Sequence, residues 1–218
     1  MDPTSRMTTL LGAMRRERNG AVADAMRFYG RPYGLNYGVS LPTLRTLART
    51  EGRDHAFARY LYLQDVRELR LAAFHIADPA QVAESEFPFW AAGLLNSEMA
   101  EEGAFALFSR LEDFPRLFTA WTAVEAEPLL TYAALMAAAR TTHGDVAWAA
   151  TAAGIVTRAA AADLPEAHLL AQGATALLAA FATRGDASRR AVTDALATLG
   201  DSPAETYVRE ELAWRLEE

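Results

Sequence analysis

The chain contains no cysteine, which excludes a disulfide framework, a thiolate metal site and a thiol nucleophile. Lysine is absent too: all 21 basic residues are arginine. Arginine suits bidentate contact with phosphate, although codon bias in a GC-rich genome explains both its use and the abundance of alanine. The four histidines, His55, His75, His143 and His168, form no His-x-x-x-His pair. With no cysteine to help them, no metal site is expected. Gly-x-Ser-x-Gly, a P-loop and a dinucleotide-binding glycine pattern are missing, so no cofactor is expected. The first 20 residues lack the apolar core of a signal peptide. The most apolar stretch, 164–183, is interrupted by Glu166, His168 and Gln172, which argues for a helix buried on most sides and against a membrane span. These absences together predict a cytoplasmic protein.

Charge is unevenly spread within the net −7. Residues 1–70 carry 12 arginines against 7 acids, whereas residues 71–218 carry 9 against 21. A nonspecific nucleic-acid binder is usually basic overall, so any DNA binding here requires a local patch.

Val and Ile are sparse and alternating runs are short, so no strand is expected. Helical signals recur instead. Thr4 and Ser5 are expected to cap a helix running to about Arg18, and a short helix is expected over about 21–28. Ser40 is an N-cap candidate with Pro42 in the first turn, and Gly52 ends that helix. Asp65 is the expected cap of "DVRELRLAAFHIADP", whose Val66, Leu69, Ala73 and Ile76 form one apolar stripe. Helical segments then follow to the end of the chain with short connections and no domain linker. "DVRELRLAAFHIAD" and "ETYVREELAWRL" share Val-Arg-Glu followed by Leu and Ala at helical spacing. The expectation is an all-α fold: HEAT-like helical repeats forming a curved α-solenoid, or superhelix, as one domain over 1–218. Residues 1–39 would hold the N-terminal helices and 40–218 the repeats.

One segment breaks the helical pattern. "RFYGRPYGLNYGVSLPTLR" holds three Tyr-Gly pairs, at 29–30, 33–34 and 37–38. Its glycines permit positive φ, Pro32 stiffens it, and its tyrosines can pack their rings. It reads as a connector that packs the N-terminal helices onto the first repeat. It also reads as a phosphate contact, because the helix starting at 40–41 offers N–H groups beside Arg27, Arg31 and Arg45.

"RNGAVADAMRFYGRPYGLNYGVSLPTLRTLAR", followed by "HAFARYLYLQDVRELRLAAFHIADP", resembles the N-terminal half of the DNA alkylation repair protein family. There an N-terminal helical region leads through a Gly-Val/Ile-(Ser)-x-Pro-x-(Leu)-Arg turn into HEAT-like repeats. "RRAVTDALATLG" is similar to the family's late repeat. The resemblance implies a solenoid with a basic groove for duplex DNA, and in active members removal of cationic alkylated purines. Those members carry Trp-Asp-x-x-Asp on one helix, an Arg on the next repeat and a late Trp. Aromatic faces stabilise a cationic base, and a carboxylate stabilises an oxocarbenium-like sugar or positions water.

This sequence departs from that pattern. Leu95, Asn96 and Met99 fall about where Trp, Asp and Asp would, Tyr132 near the Arg and Asp194 near the late Trp. No Trp-x-x-x-Asp occurs anywhere in the chain. Glu98, Glu101 and Glu102 share a helix at spacings that pair carboxylates, and Trp121 precedes Glu125 and Glu127. Glu98, Glu101 and Trp121 are thus the substitute catalytic candidates. The simpler reading makes the acids a solvated helix start and Trp121 a core or groove aromatic.

The expected function is binding of duplex or branched DNA without ordinary glycosylase activity. Arg27, Arg31, Tyr37, Ser40, Arg45, Arg140, Arg189 and Arg190 are the DNA- and phosphate-binding candidates. A protein–protein scaffold, favoured by the acidic C-terminal two-thirds, and an active glycosylase with substituted catalytic residues are the alternatives.

Overall fold

In a computed structural model of the chain, residues 2–29, 33–142 and 144–217 are described. Among them the protein is all-α, with no β-strand. The α-carbon contacts gather into two compact units, Met1–Leu107 and Phe108–Glu218.

The first unit holds α1 (Pro3–Arg16), α2 (Gly20–Phe28), α3 (Leu41–Thr50), α4 (His55–Tyr62), α5 (Arg67–Ile76), α6 (Phe87–Ala92) and α7 (Ser97–Ala106). Asp2, rather than Thr4 or Ser5, caps α1: its carboxylate accepts the N–H groups of Thr4 and Ser5, while Pro3 occupies the first turn. Asn19 caps α2, and Ser40 caps α3 as its sequence predicts. The expected Asp65 cap of α5 moves on by one residue. Val66 is extended and forms a parallel bridge with Leu35, which holds the chain out of the helix until Arg67.

Helix α5 is the hub of this unit, packing against α1, α3, α4 and α7. Leu69, Leu71, Ala72, Ala73, Phe74 and Ile76 are all buried, so it is covered on most sides and not on one stripe. Tyr62, Phe74 and Trp90 form its aromatic core, with ring centroids 4.8 to 6.0 Å apart. The Tyr62 hydroxyl donates to the Trp90 carbonyl at 2.6 Å.

The second unit holds a 3-10 turn (Phe108–Arg110), α8 (Phe114–Trp121), α9 (Pro128–Ala138), α10 (Trp148–Ala161), α11 (Ala167–Ala182), α12 (Asp186–Ala197) and α13 (Pro203–Glu217). The apolar stretch at 164–183 becomes α11, which packs against α9, α10, α12 and α13. Gly173 lets α9 approach it: a Cβ there would stand 3.0 Å from the Tyr132 ring and 3.2 Å from Leu135. Trp148 stacks on Phe118 with centroids 4.3 Å apart and also meets Phe114 and Phe181. No helix among the described residues is long and apolar enough to cross a membrane.

Candidate nucleic-acid interface

The Tyr-Gly segment is held by three charged residues around the start of α5: Asp65, Arg67 and Glu68. The N–H of Leu35 donates to the Asp65 carbonyl at 2.9 Å, and the N–H of Arg67 returns to Leu35 at 2.8 Å. The Glu68 carboxylate then accepts the N–H groups of Tyr37 and Val39, each at 3.2 Å. Gly38 sits between them at φ +69°, where a Cβ would lie 2.1 Å from the Asn19 carbonyl oxygen. Only glycine meets both demands.

Arg67 fastens this segment to α7. Its guanidinium donates to Glu98 through Nε at 2.9 Å and Nη2 at 2.6 Å, and through Nη1 to Glu68 and to the Val39 carbonyl. Arg67 is 1% exposed and Glu68 fully buried. Charges taken from water need this density of partners to persist. Burial opposes the charge on Arg67, but the bonds and charges of Glu98 and Glu68 win and raise its pKa. The Tyr33 hydroxyl donates to Glu98 and lies 3.1 Å from the side-chain oxygen of Asn96, the N-cap of α7. Burial, then the Glu98 charge, raises the Tyr33 pKa and keeps the phenol protonated.

A second cluster joins α3, α5 and α7. Arg45 grips Glu102 with Nε at 2.8 Å and Nη2 at 2.6 Å, and His75 pairs with the same carboxylate. Burial pushes the Glu102 carboxyl up, but the bonds from Arg45 and His75 outweigh it and hold it at about 2. The Arg45 guanidinium also lies over the half-exposed Phe105 ring, 4.6 Å from its centroid.

Tyr37, Ser40 and Arg45 lie around the start of α3, Tyr37 and Arg45 half-buried and Ser40 exposed. The Tyr37 N–H is committed to Glu68, and Arg15 lies 6.0 Å over its ring. Ser40 Oγ accepts the Thr43 N–H, and Pro42 has no N–H to offer. Arg27 stands near the end of α2, its side chain 80% exposed, with only a 3.4 Å approach to Asp24. Arg31 and His143 lie outside the described residues. Arg140, Arg189 and Arg190 are exposed in the second unit; Arg140 bonds the Met136 carbonyl, and Arg189 and Arg190 lie in the first turns of α12.

The expected solvated acidic start of α7 is corrected for two of its three acids. Glu98 and Glu102 are 6% and 2% exposed and tied to Arg67 and Arg45; Glu101 is exposed. Trp121 is a core residue, 4% exposed, its ring edge-on to Phe108 at 5.0 Å and its carbonyl bonded by Thr131 Oγ1. At the other substituted positions, Met99 and Tyr132 are buried, Asn96 is a helix cap, and Asp194 is exposed. No cluster of potential metal ligands forms among the described residues.

Sequence reasoning missed Tyr33, Arg67, Glu68 and His75 as members of these networks. The available signal was charge inside "VRELRLAAFHIA", a helix apolar enough to be surrounded. It also missed Phe28 and Tyr29, which are exposed although the loop tyrosines were expected to pack.

No curated protein matches this sequence significantly. Among solved structures, the chain superposes on a member of a protein family described as related to the HEAT-like repeat DNA glycosylases with affinity for branched DNA structures. The TM-score is 0.71 over 99% of this chain and 96% of that one, at 14% identity. The all-helical architecture is therefore that of HEAT-like repeats. Residues 10–127, more than half of the chain, match the family of the DNA alkylation repair enzyme. That match spans the Tyr-Gly segment, its clamp on α5 and the ion pairs of α7, and on it this chain belongs to the DNA alkylation repair family.

Proposed function

We propose that this protein binds duplex or branched DNA through exposed arginines and does not perform ordinary alkylpurine glycosylase chemistry. The observation that carries the reading is how its arginines divide. Arg67 and Arg45 are committed to buried carboxylates, whereas Arg15, Arg16, Arg18, Arg49, Arg110, Arg140, Arg158, Arg189 and Arg190 are exposed and make no ion pair among the described residues. In a chain with 28 acids against 21 arginines, that many unpaired guanidinium groups favour an anionic partner. The described affinity of the structural neighbour for branched DNA supports the same partner class.

At two of the three substitute catalytic positions the chemistry speaks against glycosylase activity; the third, Glu101, is exposed. Trp121 is enclosed by core side chains, and Glu98 is neutralised by Arg67. Neither can face an extruded base without breaking its own packing.

The test is binding to labelled duplex and three-way-junction DNA across a salt series. The variants are Arg27→Ala and the pair Arg189→Ala/Arg190→Ala. Each lost phosphate contact should reduce the slope of log affinity against log salt by about 0.9. Arg45→Ala is not a clean probe, since it would remove the guanidinium partner of buried Glu102 and leave that carboxylate only His75. Absence of binding at low salt would defeat the reading and favour a protein partner for the acidic part of the chain.

A further inference from the structure

Phe28 and Tyr29 are 83% and 78% exposed, the two most exposed large hydrophobic side chains among the described residues. The protein buries aromatics well elsewhere: Phe74, Trp90, Phe108, Phe114, Phe118 and Phe181 are each under 2% exposed or nearly so. Leaving two rings in water at one point sacrifices a large hydrophobic gain, which suits a surface that meets a ligand.

The geometry around them selects the ligand. Phe28 ends α2 and Tyr29 is its C-cap, with the Tyr29 N–H bonded to the Ala25 carbonyl at 3.0 Å, so the pair is anchored on a helix end. The rings meet edge to face, centroids 5.2 Å apart and planes 85° apart. Arg27 precedes them with its side chain 80% exposed. Arg15, Arg16 and Arg18 flank the opposite end of α2, roughly 13 Å away for a nine-residue helix. That length spans three to four base-pair rises of about 3.4 Å, so the arginines can hold a phosphate backbone while the rings meet its bases.

We propose that Phe28 and Tyr29 form a stacking wedge that takes the unpaired bases at a DNA branch point. This rests on the DNA-binding reading above. Aromatic rings stack on any base, so such a wedge reads structure and not sequence. In continuous duplex the bases are already stacked and insertion carries an unstacking cost; at a branch point that cost is largely absent. Ring planes 85° apart offer faces to bases from two differently directed arms. A flat apolar partner would be served better by parallel rings.

The experiment compares the wild-type chain with Phe28→Ser/Tyr29→Ser on a three-way junction with unpaired thymines at its centre and on linear duplex. Both side chains are exposed, so the fold is retained; circular dichroism checks this. The expected result is a loss of junction affinity of roughly five- to a hundredfold per stacked base, with duplex affinity and salt slope unchanged. Phe28→Trp/Tyr29→Trp should restore the preference. Equal junction affinity in wild type and the serine variant, with DNA binding intact in both, overturns the wedge alone. No DNA binding by the wild type overturns the underlying reading as well. A dimer in wild type that becomes a monomer in the serine variant, with junction preference unchanged, assigns the pair to self-association and overturns the wedge.

Discussion

Replacing Glu68 with alanine tests whether the Tyr-Gly segment is held by the carboxylate below it. Glu68 is fully buried and accepts the N–H groups of Tyr37 and Val39 and one arm of Arg67. Alanine leaves two N–H donors without partners, each a loss of about 1–3 kcal/mol, while Arg67 keeps Glu98 and the Val39 carbonyl. The expected destabilisation is about 3–5 kcal/mol, or a fall in Tm of roughly 6–20 °C for a chain of this size. Glu68→Gln retains one acceptor and should lose about half as much. Because the contacts gather into two units, urea unfolding is best paired with amide hydrogen exchange. The Tyr37 and Val39 amides should lose protection in the alanine variant, while amides of α11 keep theirs. A loss below about 1 kcal/mol with Tyr37 and Val39 still protected would refute the clamp.

Acid should release the second cluster. The Glu102 carboxyl is held at about 2 against an ordinary 4.5, so its contribution is complete above pH 4.5 and is lost as pH falls toward 2. That contribution is about 3 kcal/mol, and Glu102→Gln should flatten the stability profile over this window in acid titration monitored by circular dichroism. Gly38→Ala meets both the +69° φ and the Asn19 carbonyl, so it should destabilise by several kcal/mol or prevent folding (~3 or more). Gly12→Ala, with open space around its Cβ inside α1, should stabilise by about 0.5–1 kcal/mol in the same urea assay. Trp148→Ala removes a ring stacked on Phe118 and touching Phe114 and Phe181, and should destabilise by about 3–5 kcal/mol.

The helical class is legible in the chain alone, because scarce Ile and Val, abundant Ala and Leu, and Asn, Ser and Gly at helix boundaries act through local backbone preferences. The buried course of α11 and a repeat-like spacing are legible there too, and the segment from Arg18 to Pro79 carries the resemblance that pointed to the family. What the polar residues do is set by the folded arrangement. Local pattern placed Glu98 and Glu102 on one helix face, but whether that face meets water or arginine depends on Arg67, 31 residues away, and Arg45, 57 residues away. The same holds for Glu68, whose partners are backbone groups of a loop, invisible to any side-chain pattern. It holds in the opposite sense for Phe28, which its apolar ring would send inward, and for its neighbour Tyr29; both stand exposed among the described residues. Propensity acts between neighbours in the chain; burial and charge pairing act between neighbours in space, and only the folded chain brings those together.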